Sequence, residues 1–297
     1  MNANDVLRQA LTLEEAGEMG RAFDLFRTVT TLDPTCGRAW RHLGNLLRRS
    51  GELGAASECF ERAIASGDDV ALNRFFLSAV GVGAVVPSPP RHFVSALFNQ
   101  YAFRFERHLV TELQYRAPEV LFELMIGSNS RHFNNGLDLG CGSGLAAKSF
   151  CGVVARMSGV DLSEEMLAHA AACGFYEQLT LSSLEDYLAA PPAGFDLVLC
   201  CDTFIYLGDL SAAFAGIRRA LACGGSFGFT VEVCGDEVCF DLLPSLRYAH
   251  SEKYIRQLAG EHGFQIVGLR ECRLRVEAGI PVPGLAVHLA CVGGSRL

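Results

Sequence analysis

Residues 137–145 read LDLGCGSGL. A short apolar run from Leu137 to Leu139 ends in three glycines spaced two apart, Gly140, Gly142 and Gly144, and an apolar helical stretch begins at Leu145. Glycine accepts backbone angles closed to other residues. The spacing therefore predicts a strand, a tight loop that lets a ligand approach the backbone, and a helix. Asp138 lies inside the strand. A dinucleotide loop of the form G-x-G-x-x-G/A needs a small residue in its third place, which counted from Gly140 is position 145, a leucine here. The loop is G-x-G-x-G instead, so a dinucleotide oxidoreductase is the weaker reading.

Downstream of the loop, short apolar runs alternate with helical patterns. Candidate strands are GLDLG, RMSGVD, QLTLSS, FDLVLCCD, SFGFTVE, FQIVGLRECRLRVE and GLAVHLACV. Helices are expected over 145–150, 163–172, 210–221 and 251–262. Such alternation implies a largely parallel sheet covered on both faces. The last two strands are joined through AGIPVP with no helix between them, which predicts an antiparallel final strand.

Upstream, Ala22, Phe26 and Pro34 recur as Ala56, Phe60 and Asp68, each offset by 34 residues. The second copy, with Trp40, Leu43, Gly44, Leu47, Ala56, Phe60 and Ala63, resembles the tetratricopeptide signature; the first copy matches it less fully. Small residues at 22 and 56 let paired helices approach, and the phenylalanines fill the gap to the next helix. Residues 69–81 read as a capping helix. Pro87, Pro89 and Pro90 interrupt any helix in GVGAVVPSPPRH. The expected layout is helical repeats over 1–80, a linker over 81–92, a helical lid or cap over 93–132, and an α/β domain over 133–297.

Composition narrows the class. The formal net charge of −8 argues against nucleic acid as a partner. There is no apolar run long enough to span a membrane and no signal-peptide pattern at the N-terminus, so a soluble cytoplasmic protein is expected. The twelve cysteines form no C-x-x-C pair and several sit in apolar runs, which suits reduced, buried thiols. Cys234, Cys239, Glu232 and Asp236 match no common zinc spacing, so no metal is expected.

LDLGCGSG resembles the first motif of class I S-adenosylmethionine (SAM)-dependent methyltransferases, usually close to LDLGCGTG. That resemblance implies a Rossmann-like seven-stranded sheet with an antiparallel last strand, preceded here by the all-α repeat domain, and SAM as cofactor. The loop glycines and Asp138 would lie against the methionyl part of SAM. Asp161, 21 residues after Gly140 in VDLSEEML, occupies the family's ribose-binding place, with Leu162 beside it. Its alternative role is to cap the following helix. Ser183 stands where the family often has an adenine-binding Asp, with the Leu184 amide next to it. In CCDTFIYLGDL, Asp202, Thr203 and Tyr206 would line the cleft, Asp202 touching the cofactor as well.

The chain also resembles bacterial methyltransferases with N-terminal tetratricopeptide repeats. FNQYAFRFERHLVTELQYRAPEVL follows their F-D-x-Y-A-x-x-F-D-x-H-L pattern, with Asn99 and Glu106 at its two Asp positions. Tyr101 is the residue expected to close over SAM. The base candidates are His250, in a loop-like stretch before a helix, then Asp202 and Tyr206. No N/D-P-P-Y/F motif follows the fourth strand, which disfavours amino-nucleobase methylation. A small-molecule acceptor is the expected substrate, with O-methylation ahead of N-methylation. The repeats suit a homodimer or a protein partner, and the competing reading is a binding module whose methyltransferase domain modifies or scaffolds that partner.

Overall fold

A computed structural model describes residues 2–107, 113–127, 131–277 and 279–292, with the helix backbone alone over 100–107. The chain divides into two compact units. One is Met1–Pro90 with Leu242–Arg247; the other is Arg91–Asp241 with Tyr248–Leu297.

The first unit contains α1 (Ala3–Glu15), α2 (Met19–Leu32), α3 (Gly37–Ser50), α4 (Leu53–Ala65) and α5 (Val70–Ala79). Asp69 accepts from the Leu72 amide at 3.1 Å and caps α5. The residues that recur in the sequence recur in the packing. Phe26 stacks on His42 at 5.1 Å between centroids, and Phe60 meets Phe76 at 5.2 Å, each partner again 34 residues on (26 to 60, 42 to 76). Ala22, Ala56, Phe26 and Phe60 are fully buried. Gly44 lets α3 close on α4, since a Cβ there would lie 2.7 Å from the Phe60 ring.

The second unit opens with α6 (Arg91–Arg107) and α7 (Ala117–Met125). It continues with β1 (Gly136–Leu139), α8 (Leu145–Phe150), β2 (Met157–Asp161), α9 (Glu164–Cys173), β3 (Gln178–Leu181), α10 (Leu184–Ala189) and β4 (Phe195–Cys200). A 3-10 turn (Phe204–Tyr206), α11 (Ser211–Ala220), β5 (Leu221–Val233), β6 (Phe240–Leu242), β7 (Tyr248–His250), α12 (Glu252–Glu261), β8 (Phe264–Glu277) and β9 (Ile280–Cys291) follow. Serines placed just after strands start three of these helices. Ser163, Ser183 and Ser251 accept from the amides of Met166, Asp186 and Tyr254.

The sheet runs β3-β2-β1-β4-β5, all parallel, then β9 antiparallel to β5, with β8 outermost and antiparallel to β9. These seven strands include the expected antiparallel last strand. The expectation of seven strands is corrected to nine among the described residues. The additional two, β6 and β7, are three residues each, too short to show a period; β7 runs parallel to β5 at Glu232 and Val233. Helix α10, six residues long, is also absent from the sequence-based helices.

Alternating residues of the central strands serve two cores. Val198, Phe227 and Phe229 join Phe204, Phe214 and Phe264 on one face. Leu197 and Leu199 join Leu121, Met125 and Phe150 on the other. Gly228, between the two phenylalanines, faces α7, where a Cβ would meet the Met125 sulfur at 2.1 Å. Helix α7 thus belongs to a layer packed on the sheet. The chain leaves β1 towards β2 and β3, then returns to β4 on the other side of β1. The carboxyl ends of β1 and β4 flank this reversal, where open α/β sheets form their ligand crevice.

Candidate functional site

The loop after β1 folds back onto the end of β2. The amides of Gly140 and Cys141 donate to the Val160 carbonyl at 2.8 and 3.0 Å. The Gly142 amide donates to Asp161 Oδ2 at 2.9 Å, and the Ser163 amide donates to Asp161 Oδ1 at 2.9 Å. One carboxylate therefore ties the loop to the start of α9. Burial raises its pKa, against the amide hydrogen bonds from Ser163, Gly142 and Leu162.

Gly140, Gly142 and Gly144 all have positive φ (68°, 52° and 96°), as expected from their spacing. Thr203, after β4, fills the space beside Gly140; its Oγ1 lies 3.1 Å from the Leu139 carbonyl and 3.4 Å from that of Gly140. The Tyr176 hydroxyl donates to Asp138 Oδ2 at 2.7 Å. Asp138 is 1% exposed, and burial pushes its carboxyl up to about 7, against the Tyr176 hydrogen bond and with Asp161 adding to the rise.

Around the loop, α6 is held at three points that follow three different strands. Arg91 forms an ion pair with Asp186 on α10. Phe98 meets Tyr206 edge-on at 5.1 Å. Ser163 donates to Asn99 Oδ1 at 2.6 Å. Tyr206 accordingly lies against α6. The side chain of Tyr101, further along that helix, lies outside the described residues. Ser183 is buried and its hydroxyl caps α10, with Leu184 buried behind it.

Asp202 has a left-handed backbone (φ 55°), and its amide donates to Thr230 Oγ1 at 2.9 Å. Its carboxylate is paired with Arg275 of β8 at 2.8 Å. The same guanidinium, 2% exposed, binds Glu232 of β5 and, at 2.6 Å, Glu277. Burial alone would lower the pKa of Arg275, but Asp202, Glu232 and Glu277 more than offset it and hold the group charged. Asp202 is thus a fixed, ion-paired carboxylate.

The expectation that His250 lies in a loop-like stretch, free to act as a base, is corrected. It ends β7 and is fully buried. Its Nε2–H faces the carbonyls of Leu207 (2.9 Å) and Gly208 (3.1 Å), which leaves Nδ1 deprotonated. Burial lowers its pKa to about 4, against the two carbonyl contacts. His250 braces the turn that follows Tyr206. Its folded-state pKa lies below the unfolded value near 6.5. The histidine is therefore neutral and harmless above pH ~6.5 and destabilises the fold as pH falls towards 4. His250→Gln keeps a donor but cannot titrate there. Comparing urea unfolding at pH 7 and pH 5, the variant should lose about 2 kcal/mol less than the wild type. Equal losses would show that His250 does not titrate in this way.

Tyr176 and Arg275 escape sequence reasoning. Tyr176 follows the glycine that ends α9, and Arg275 sits in an alternating strand; neither carries a local motif. Among the described residues, no group of three or more His, Cys, Asp or Glu is placed to hold a metal ion, and no helix is long and apolar enough to cross a membrane.

Residues 137–229 match the family described as Methyltransferase domain. A ubiquinone biosynthesis O-methyltransferase of Thiobacillus denitrificans is 35% identical over 122 residues, 36% of this chain and 53% of that protein. One from Xylella fastidiosa is 27% identical over 177 residues, 52% of this chain and 72% of the relative. The chain thus spans about half the length of the first of these relatives. In solved structures, an N-methyltransferase of Bradyrhizobium japonicum in complex with S-adenosyl-l-homocysteine superposes with a TM-score of 0.54 at 15% identity, covering 66% of this chain and 97% of that one. Magnesium protoporphyrin IX methyltransferase of Synechocystis, with the same ligand bound, gives 0.52 at 18% identity, covering 67% and 98%. These likenesses show the fold. The second unit carries a SAM-dependent methyltransferase domain. Its residues fit SAM: the loop turns at three positive-φ glycines, and Asp138 Oδ1 and Ser143 Oγ are buried without a hydrogen-bond partner among the described residues.

Proposed function

We propose that the protein as a whole transfers a methyl group from SAM to an oxygen of a small molecule. The observation that carries the reading is the Asp161 carboxylate, which joins the glycine loop to α9 beside the reversal between β1 and β4. In this reading the loop and Asp138 hold the methionyl part of SAM, and Asp161 and Leu162 the ribose. Ser183 and Leu184 bound the adenine end. SAM supplies a methyl group already activated on its sulfonium.

The chain's own residues then have to orient the acceptor and keep water out. Asp202, fixed by Arg275, is placed to orient an acceptor hydroxyl, and Tyr206 with Phe98 walls the cleft. Helix α6, with Tyr101 on it, serves as the cover. The O-methyltransferase names of the relatives support oxygen as the acceptor atom.

Calorimetric titration with SAM, and with NAD as the control, tests the cofactor. Asp161→Ala should weaken SAM binding by about tenfold to a hundredfold, the loss of one or two hydrogen bonds to a charged group. An unchanged affinity would remove Asp161 from the site. A methyl-transfer screen with labelled SAM against phenolic and other hydroxyl compounds tests the acceptor; labelling confined to protein would favour the second reading.

That second reading has its own observation. The 34-residue recurrence of Phe26–His42 as Phe60–Phe76 supports tetratricopeptide-like repeats, which dock peptides or assemble copies. Under it the methyltransferase domain modifies or scaffolds a docked protein. The solution mass of the full chain distinguishes assembly of copies, which gives a dimer, from capture of a foreign peptide, which leaves a monomer.

A further inference from the structure

Asp138 is a carboxyl group with one hydrogen-bond donor and almost no water. Tyr176 O–H donates to Oδ2, while Oδ1 is buried without a partner among the described residues. Among the described residues, the titratable groups that face it are Asp161 at the end of β2, Cys141 in the loop, Cys200 and Cys201 at and after the end of β4, Tyr115 ahead of α7, and Tyr176 itself. None of them brings a positive charge, and Asp161 brings a negative one. A carboxylate so placed is costly, and in the free protein the neutral acid is the favoured form up to a pH of about 7.

Tyr176 is itself held by close packing. A Cβ at Gly144 would lie 3.3 Å from its Cε2, and one at Gly159 would lie 3.0 Å from its Cδ1. Glycine at both places lets the ring sit flush against the loop and the strand, and this fixes the direction of its hydroxyl.

We propose that Asp138 couples SAM binding to proton release: the neutral acid of the free protein gives its proton to solvent when the cationic cofactor arrives, and Tyr176 is the positioning residue that keeps one oxygen occupied and leaves Oδ1 for the ligand. The inference rests on the assignment of this loop to SAM. Tyr176 acts through Asp138.

The test is calorimetric titration of SAM into the full chain between pH 5.5 and 7.0, in two buffers of different ionisation enthalpy. SAM affinity should rise about tenfold across this range, with close to one proton released per SAM bound at the acid end. Tyr176→Phe keeps the ring and removes the donor, so the neutral acid is favoured further. Its affinity curve should move to higher pH, with binding at pH 7 several-fold weaker. Asp138→Asn should release no proton and show a flat curve; if that variant does not fold, Tyr176→Phe carries the test alone. A merely packing role for Tyr176 predicts a Phe curve superimposed on the wild type, which would overturn the positioning role. SAM binding at constant affinity without proton release overturns the coupling while leaving the cofactor assignment intact. Failure of the wild type to bind SAM at any pH would remove both.

Discussion

Replacing Arg275 by Met should destabilise the protein by about 3–5 kcal/mol, the range found when one partner of a buried ion pair is removed. The guanidinium is 2% exposed and holds Glu232 (5%), Asp202 (13%) and Glu277 (33%). Methionine fills similar volume, so little of the loss comes from a cavity. It comes from negative charges left in a dry place. Glu277 has water to turn to; Glu232 and Asp202 have little. For a unit of this size the loss corresponds to a fall in melting temperature on the order of 10 °C. Two controls isolate the electrostatic origin. Adding Glu232→Gln and Asp202→Asn to Arg275→Met should restore much of the loss. Acidification towards pH 4 should narrow the gap between Arg275→Met and the wild type, because the buried carboxylates that have lost Arg275 take up protons more readily. A gap that is the same at pH 4 and pH 7 would mean that packing, rather than charge, sets the cost.

Gly140→Ala should reduce SAM affinity by about a hundredfold, since displacement of a binding group by about an ångström has effects of that order. Two constraints act together. The φ of +68° is strained for any residue with a Cβ, and that Cβ would lie 2.2 Å from Thr203 Oγ1 and 2.4 Å from its Cγ2. Thr203 cannot simply turn away, because its hydroxyl contacts the Leu139 and Gly140 carbonyls. The loop itself has to shift, taking Gly142 and its hydrogen bond to Asp161 with it. Gly17→Ala is the control. It has a similar φ of +81° but nothing within 4 Å of the added carbon. It should cost about 1 kcal/mol of stability and leave SAM binding unchanged. Trimming the collision partner in Gly140→Ala/Thr203→Ala, which removes both Oγ1 and Cγ2, should recover part of the affinity; no recovery would assign the effect to backbone strain.

The features legible in the sequence are those whose cause is local. The loop glycines and the serines that start α9 and α12 each act within a few residues, so spacing exposes them; Asp161 is reached through the resemblance of VDLSEEML, since its contact with Gly142 spans 19 residues. The alternation of strand and helix shows because the central strands β1, β4 and most of β5 are buried on both faces. The features that stayed hidden depend on distant partners. Arg275 reads as one more residue of an alternating strand until β5 brings Glu232, 43 residues away, against it. Tyr176 gains its role only because β2 and the loop place Gly159 and Gly144 around its ring. His250 looks exposed in RYAHSE, and it is buried because Ala249 and His250 of β7 pair with the end of β5 beyond the point where β4 stops. Asn99 differs from the acid in the pattern it resembles and carries no charge, and its Oδ1 accepts a hydrogen bond from Ser163.

The place of β9 has a consequence for how the molecule is made. This strand ends at Cys291 but lies between β5 and β8, both of which come earlier in the chain. As the polypeptide emerges from the ribosome, β5 and β8 therefore wait with unsatisfied edges until the final dozen residues of β9 are free to slide between them. The helices of the first unit pack through near neighbours in sequence and can mature during that interval. A nascent chain stalled before Ile280 would present two open strand edges, on β5 the stretch from Ser226 to Glu232, and is the species most exposed to aggregation during synthesis.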